Sequence, residues 1–112
     1  MKIRQGEIYL ATLDPKRGRE QGGTRPVVVV SGNTMNEHFD VVIVCPISSS
    51  VKYYEGCVRV SNGSRTGLKE DSEIITFQIR ALAKERLLRK MGSLNPAELR
   101  ETFRGLLLVL TH

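Results

Sequence analysis

Two uninterrupted apolar runs, VVVV at residues 27–30 and VVIVC at residues 41–45, stand out along the first half of the chain. Neither alternates with polar positions and both are too short for a helix, so each predicts a strand buried on both faces. Ahead of them, residues 6–13 alternate, with Ile8 and Leu10 on one face and Glu7, Tyr9 and Ala11 on the other. That pattern predicts a first strand, broken by Asp14-Pro15. Residues 32–40 form a connection expected to include a helical turn, and Pro46 is expected to end the second apolar strand. Past it, residues 51–55 read as an exposed loop, residues 57–60 as a short strand and residues 61–67 (SNGSRTG) as turns. Residues 72–82 predict a strand pair or one bent strand, and the basic stretch 83–89 a helical turn.

The clearest helix closes the chain. Asn95 is placed to cap it, Pro96 to open it and Glu98 to complete a capping box. Leu99, Phe103, Leu106, Leu107 and Leu110 then recur at i, i+4, i+7, i+8 and i+11, a broad stripe expected to be mainly core. Leu107, Leu108 and Val109 widen it beyond one face, which points to a contact between two copies, lost when Leu108 carries a charge. Short strands followed by this helix place the fold as α+β, mainly β: a small, partly open antiparallel β-barrel with the helix packed on it.

Composition sharpens this picture. The 112 residues are expected to form one domain, residues 1–112, with a single modest core. A net charge of +5 favours an acidic partner such as nucleic acid, a membrane surface or an acidic peptide. No run approaches the roughly 18 apolar residues of a membrane span. The opening MKIRQGEIYL has no apolar run after its charges, so no secretory signal is expected and the cytoplasm is the expected compartment. Cys45 and Cys57 lie in apolar runs without a second metal-ligand pair and are expected to be reduced thiols. With His38 and His112 the only histidines, there is no assignable Ser/His/Asp triad and no zinc-spaced cluster, and no phosphate-loop fingerprint occurs. Neither a metal nor a nucleotide cofactor is expected.

The remaining chemistry centres on EQGGTRP at residues 20–26. Gly22 and Gly23 permit a sharp turn and a close approach of backbone to ligand. Pro26 biases Arg25 towards an extended conformation, holding a cation at the mouth of the valine strand. The polar loop before it adds Lys16, Arg17 and Arg19. If the two apolar strands pair as an antiparallel meander, Arg25 falls at the same sheet edge as Ser48, Ser49 and Ser50. A planar guanidinium fork beside a hydroxyl suits a phosphate. RNA carries its own nucleophile in the 2′-OH, so an enzyme need only align it, move protons and stabilise charge developing on the phosphoryl oxygens. DNA lacks that nucleophile.

These pieces, in this order, resemble the MazF/PemK family of toxin endoribonucleases, or mRNA interferases, over nearly the whole chain. The matching stretches are GEIYLATLDPKRGREQGGTRPVVVVS, VVIVCPIS, DSEIITFQIRAL and KMGSLNPAELRETFRGLLLVL. The resemblance implies an SH3-like barrel with helices, assembled as a homodimer and acting as the toxin of a type II toxin–antitoxin system. It implies cleavage of single-stranded RNA, mRNA included, at short motifs without metal. It also implies a cognate antitoxin whose acidic, flexible segment covers the RNA groove. By the same resemblance Arg25 and Ser48 are catalytic, and Glu20, Gln21, Gly22, Thr24 and Gln78 lie near the RNA; for Gly22 and Gln78 a role in the turn or the sheet alone is the alternative. Some relatives carry an acidic catalytic residue immediately before the QIR motif, where this chain has Phe77. The general base is therefore unassigned, with Glu20 the first candidate and His38 the second. The rival reading is a non-catalytic barrel toxin that grips a protein target, as gyrase poisons do. A non-catalytic nucleic-acid-binding barrel is a further rival, against which stands the lack of an aromatic platform: Tyr53 and Tyr54 are adjacent and would face opposite sides of a strand.

Overall fold

The computed structural model describes residues 2–13, 18, 20 and 22–112. Along them run strands β1 (Glu7–Thr12) and β2 (Thr24–Val29), helix α1 (Asn33–His38), strands β3 (Val41–Ser48), β4 (Val58–Val60), β5 (Ser72–Ile74), β6 (Arg80–Ala83) and β7 (Leu87–Ser93), and helix α2 (Pro96–Thr111). Single 3-10 turns at Thr76–Gln78 and Lys84–Arg86 flank β6.

The two apolar runs occupy the middle of the sheet. Val27 and Val29 of β2 share one apolar cluster with Val42 and Val44 of β3. Val28, Val30, Cys45 and Ile47 belong to a second cluster on the opposite face. Successive strand side chains alternate faces, so a strand covered on both sides needs an apolar residue at every position. Each such side chain contributes about 1.5–3 kcal/mol by its burial. β1 lies alongside, its Ile8 opposite Val28 and its Tyr9 opposite Val27.

Antiparallel pairing gives the order β4–β5–β3–β2–β1–β7. β3 serves two partners along its length. Its first half pairs with β6, from Val41↔Ala83 to Val44↔Arg80, and its end pairs with β5 through Ile47↔Ile74 and Ser48↔Glu73. The described ladders do not close, but the turn after β4 reaches β7, where the Ser93 amide donates to the Arg65 carbonyl at 2.9 Å. The expected mainly β, partly open barrel with a terminal helix is what the chain forms.

At one end of the β2–β3 pair, polar side chains lock the backbone. Ser31 Oγ donates to Asn36 Oδ1 at 2.5 Å, Asn36 Nδ2 donates to the Ser31 carbonyl at 2.9 Å, and the Ile43 amide donates to Ser31 Oγ at 3.0 Å. The Gln5 amide joins them through Asn33 Oδ1 at 2.7 Å. Glu7 ties β1 to β7: Lys90 Nζ lies 2.7 Å from its Oε2, while the Tyr9 hydroxyl and the Arg4 amide donate to Oε1. Burial pushes the Glu7 carboxyl up, yet these donors outweigh it and hold the group below its ordinary value.

α2 begins as expected. The Glu98 amide donates to Asn95 Oδ1 at 2.8 Å and the Asn95 amide to Glu98 Oε1 at 2.9 Å, a complete capping box. Arg65 adds a forked pair to the same Glu98 carboxylate, at 2.6 and 3.1 Å. Gly105 is required by a close approach, since a Cβ there would overlap the Gly56 carbonyl oxygen.

Three expectations are corrected. Pro46 does not end the strand, because β3 runs on to Ser48 by pairing with β5. The basic stretch 83–89 is only briefly helical, and Leu87 opens β7, held by pairing with β1 despite a composition poor in strand formers. The leucine stripe of α2 is mostly not core: Thr102, Gly105 and Leu106 are buried, whereas Phe103, Leu107 and Leu110 are exposed, the last two by 65% and 67%. The buried line runs along small residues because the helix lies against the Gly56 backbone and Thr76, too close for large side chains.

Candidate functional site

The other end of the β2–β3 pair is where the polar residues of the sequence converge. The ladder's last paired residues are Val27 and Pro46. Pro26 and Pro46 both lack an amide hydrogen, so backbone pairing weakens there and the ends open. Carrying the register two residues further sets Arg25 across from Ser48, and strand alternation puts both on the face shared by Val27 and Pro46. The meander expectation is realised.

Each partner is fixed by its surroundings. Arg25 is half-buried, and its Nε donates to the Gly22 carbonyl at 2.8 Å, which orients the guanidinium. Gly23 takes φ +71, the left-handed conformation that favours glycine, and its carbonyl accepts from the Leu13 amide at 2.8 Å. Arg80 and Arg86 donate to the Leu13 and Thr12 carbonyls at 3.4 Å, so the root of the long loop is anchored on β6 and the turn after it. Ser48 is buried, and its Oγ accepts from the Ser50 amide at 3.1 Å, turning the chain out of β3.

Two hollows flank this strand end. One, of about 450 Å³, is bordered by Arg25, Ser49, Lys69 and Arg89, with Ile47 and Met91 beneath. Three cations against the single carboxylate of Glu70 make it a place for anions. The other, of about 430 Å³, is lined by Glu20, Pro46, Phe77, Gln78 and Arg80. Pro46 and Ile47 are sequence neighbours on opposite faces, so the end of β3 is the ridge between them.

Of the expected site residues, Arg25, Ser48, Gly22, Glu20 and Gln78 gather here. Thr24 opens β2 opposite Thr12, exposed and by alternation on the face away from Arg25. Gln21 lies outside the described residues, as do Lys16, Arg17 and Arg19. His38 sits in the last turn of α1, exposed and 3.9 Å from Glu37, at the far end of the β2–β3 pair, which removes it as a candidate base. Cys45, adjacent to the ridge, is fully buried, and burial with the nearby Cys57 pushes its thiol up to about 12. Among the described residues no group of three or more His, Cys, Asp or Glu is arranged to hold a metal ion, and no helix is long and apolar enough to cross a membrane.

Sequence reasoning missed Lys69 and Arg89, which join the site from the turn after β4 and from β7. It also missed Tyr54 and Phe77, whose rings meet edge to face with centroids 5.1 Å apart. They are 23 positions apart in sequence, and no local pattern signals the contact.

Fold and geometry together define a small antiparallel barrel with a cationic hollow at the strand ends that carry Arg25 and Ser48. Residues 4–110 match the family of PemK-like, MazF-like toxins of type II toxin–antitoxin systems, and the chain belongs to that family. Endoribonuclease MazF of Staphylococcus saprophyticus subsp. saprophyticus is 38% identical over 100 residues, 88% of this chain and 83% of that protein. In fold, MazF from Deinococcus radiodurans is similar with a TM-score of 0.86 at 22% identity, covering 100% of this chain and 99% of that one. An endoribonuclease of a mycobacterial species, solved with its cognate antitoxin, gives a TM-score of 0.80 at 20% identity over 96% and 94% of the two chains.

Proposed function

We propose that residues 1–112 act as one toxin domain, a metal-independent, sequence-specific endoribonuclease that cuts single-stranded RNA, mRNA included, and thereby arrests translation and growth. The observation that carries this reading is the register that sets Arg25 across from Ser48 beside the cationic hollow. In the reaction the 2′-oxygen of one nucleotide attacks the adjacent phosphorus, the bond to the 5′-oxygen of the next breaks, and that leaving oxygen takes a proton from water. The products are a 2′,3′-cyclic phosphate and a 5′-OH. The Arg25 guanidinium donates to the phosphoryl oxygens as they gain charge, and the Ser48 hydroxyl adds a hydrogen bond. Glu20, exposed in the second hollow, is the carboxylate we assign to proton removal from the 2′-OH.

The same reading carries the partners. A cognate antitoxin with an acidic, flexible segment complements the cations around Arg25. A second copy of the chain covers the exposed Phe103, Leu107 and Leu110 of α2, forming a homodimer. The compartment is the cytoplasm, where RNA and antitoxin are both at hand.

The deciding experiment incubates the protein with a long, defined single-stranded RNA in EDTA and maps both new ends. Discrete cuts with 5′-OH termini, absent with Arg25→Ala, are expected. Folded protein that leaves several unrelated RNAs intact would favour the rival toxin that grips a protein.

A further inference from the structure

The loop from Ser49 to Cys57 is shaped by contacts that leave a pair of aromatic rings on the surface. Glu73 of β5 is fully buried and receives two loop amides, from Lys52 at 2.9 Å on Oε1 and from Tyr54 at 3.0 Å on Oε2. A buried carboxylate is costly unless donors satisfy it, so this clamp fixes the loop firmly. Tyr53 takes φ +58, a strained conformation for a tyrosine, and its ring lies under the Arg59 guanidinium at 4.9 Å. That turn sends Tyr54 the other way, onto Phe77.

The pair has the wrong surroundings for a core contact. Tyr54 remains 46% exposed and Phe77 47% exposed, although the backbone of each is fixed, Tyr54 by the Glu73 clamp and Phe77 within the Thr76–Gln78 turn. In an edge-to-face pair only one ring face is consumed, so open π-faces remain. Phe77 itself lines the hollow that holds Gln78, Arg80 and Glu20. Glu73, the clamp, is the direct β-partner of Ser48. Platform, hydrogen-bonding groups and the Ser48 end of β3 are therefore parts of one surface, on a protein of net charge +5.

We propose that Tyr54 and Phe77 form a stacking platform for one unpaired base flanking the phosphodiester that is cut. The inference rests on the ribonuclease reading and adds the specificity element. Fixed aromatic faces hold any base by stacking, while neighbouring polar groups, here Gln78 and Arg80, read its edge. Double-stranded RNA would not engage, since its bases are not free to stack on protein.

The test uses the full chain and an RNA carrying the sequence that the protein cuts, with a 2′-O-methyl group at the cut site to block the nucleophile. A series of such RNAs lacks one base at a time around that site, and binding is followed by fluorescence anisotropy. We expect one position where base removal weakens binding to the wild type about 5- to 100-fold. At that position the penalty vanishes in Tyr54→Ala and Phe77→Leu, and persists in Tyr54→Phe and Phe77→Tyr. Phe77→Leu keeps apolar bulk, so it separates stacking from packing. A penalty of the same size in Phe77→Leu and the wild type overturns the platform, as does a scan with no sensitive position. If unmodified RNA is cut while the scan is flat, the platform alone fails; if RNA is neither cut nor bound, the nuclease reading fails with it.

Discussion

The two ends of the β2–β3 pair share the same strands and differ in almost everything else. At one end Ser31, Asn33 and Asn36 join one another and the adjoining backbone in a local hydrogen-bond network. At the other, two prolines, a glycine loop and a serine run end the β2–β3 ladder at Val27 and Pro46, and the register carried two residues further sets Arg25 across from Ser48. One end knits its polar side chains to each other and to the backbone; the other fixes Arg25 and Ser48 by hydrogen bonds with backbone groups beside a cationic hollow. The difference teaches where a small barrel places stability and where it places chemistry, and it makes separable demands on mutants.

The sharpest separation comes from Arg25→Ala. Cleavage is expected to fall on the order of 10²–10³-fold or below detection, while thermal unfolding stays near wild type, because the half-buried guanidinium lies at a strand end beside a loop carbonyl and outside the two apolar clusters. A fully active Arg25→Ala would sink the assignment. Ser48→Ala should lose most of the activity, roughly 10²-fold, with Ser48→Thr recovering part of it because the hydroxyl is the group required.

At the closed end the prediction inverts. Asn36→Ala removes hydrogen bonds to Ser31 and strands their buried partners, so about 2–3 kcal/mol of stability should disappear in urea unfolding. Its cleavage rate below the transition should match wild type; a large loss of kcat at full folding would show that the two ends are not independent.

Two smaller effects probe regions outside this pair. Leu107→Glu places a charge on the exposed face of α2, and gel filtration is expected to show a dimer for the wild type under the proposed assembly and monomers for the variant. Lys90→Met leaves Glu7 without its ion pair. Because the native Glu7 carboxyl sits below its unfolded value of 4.5, its contribution is present in full above that pH and is lost as pH falls through the lowered value. The Tm difference between Lys90→Met and wild type should thus be largest near neutrality and shrink as the pH falls below 4.5 and through the lowered value. A difference independent of pH would contradict it.

Legibility in the sequence followed the same division. Strands buried on both faces announce themselves as unbroken valine runs, and the capping box of α2 is written in Asn95, Pro96 and Glu98. β7 was not legible, because LLRKMGS has neither alternation nor strand-forming residues and is held by β1 rather than by its own preference. The α2 stripe misled because apolar periodicity marks a face that is covered without saying by what. In the site, the placement of Arg25 and Ser48 at the same end of the β2–β3 pair followed from antiparallel geometry. Lys69, Arg89 and the Tyr54–Phe77 pair arise from contacts between distant elements and leave no local trace.

Cys45 has one consequence for life under stress. A peroxide or an electrophile reacts with the ionised form of sulfur, and a thiol pushed up to about 12 supplies almost none at neutral pH. The sulfur beside the ridge is also sealed from solvent. An oxidative burst that disables cysteine-dependent enzymes therefore finds almost no thiolate at Cys45 to attack.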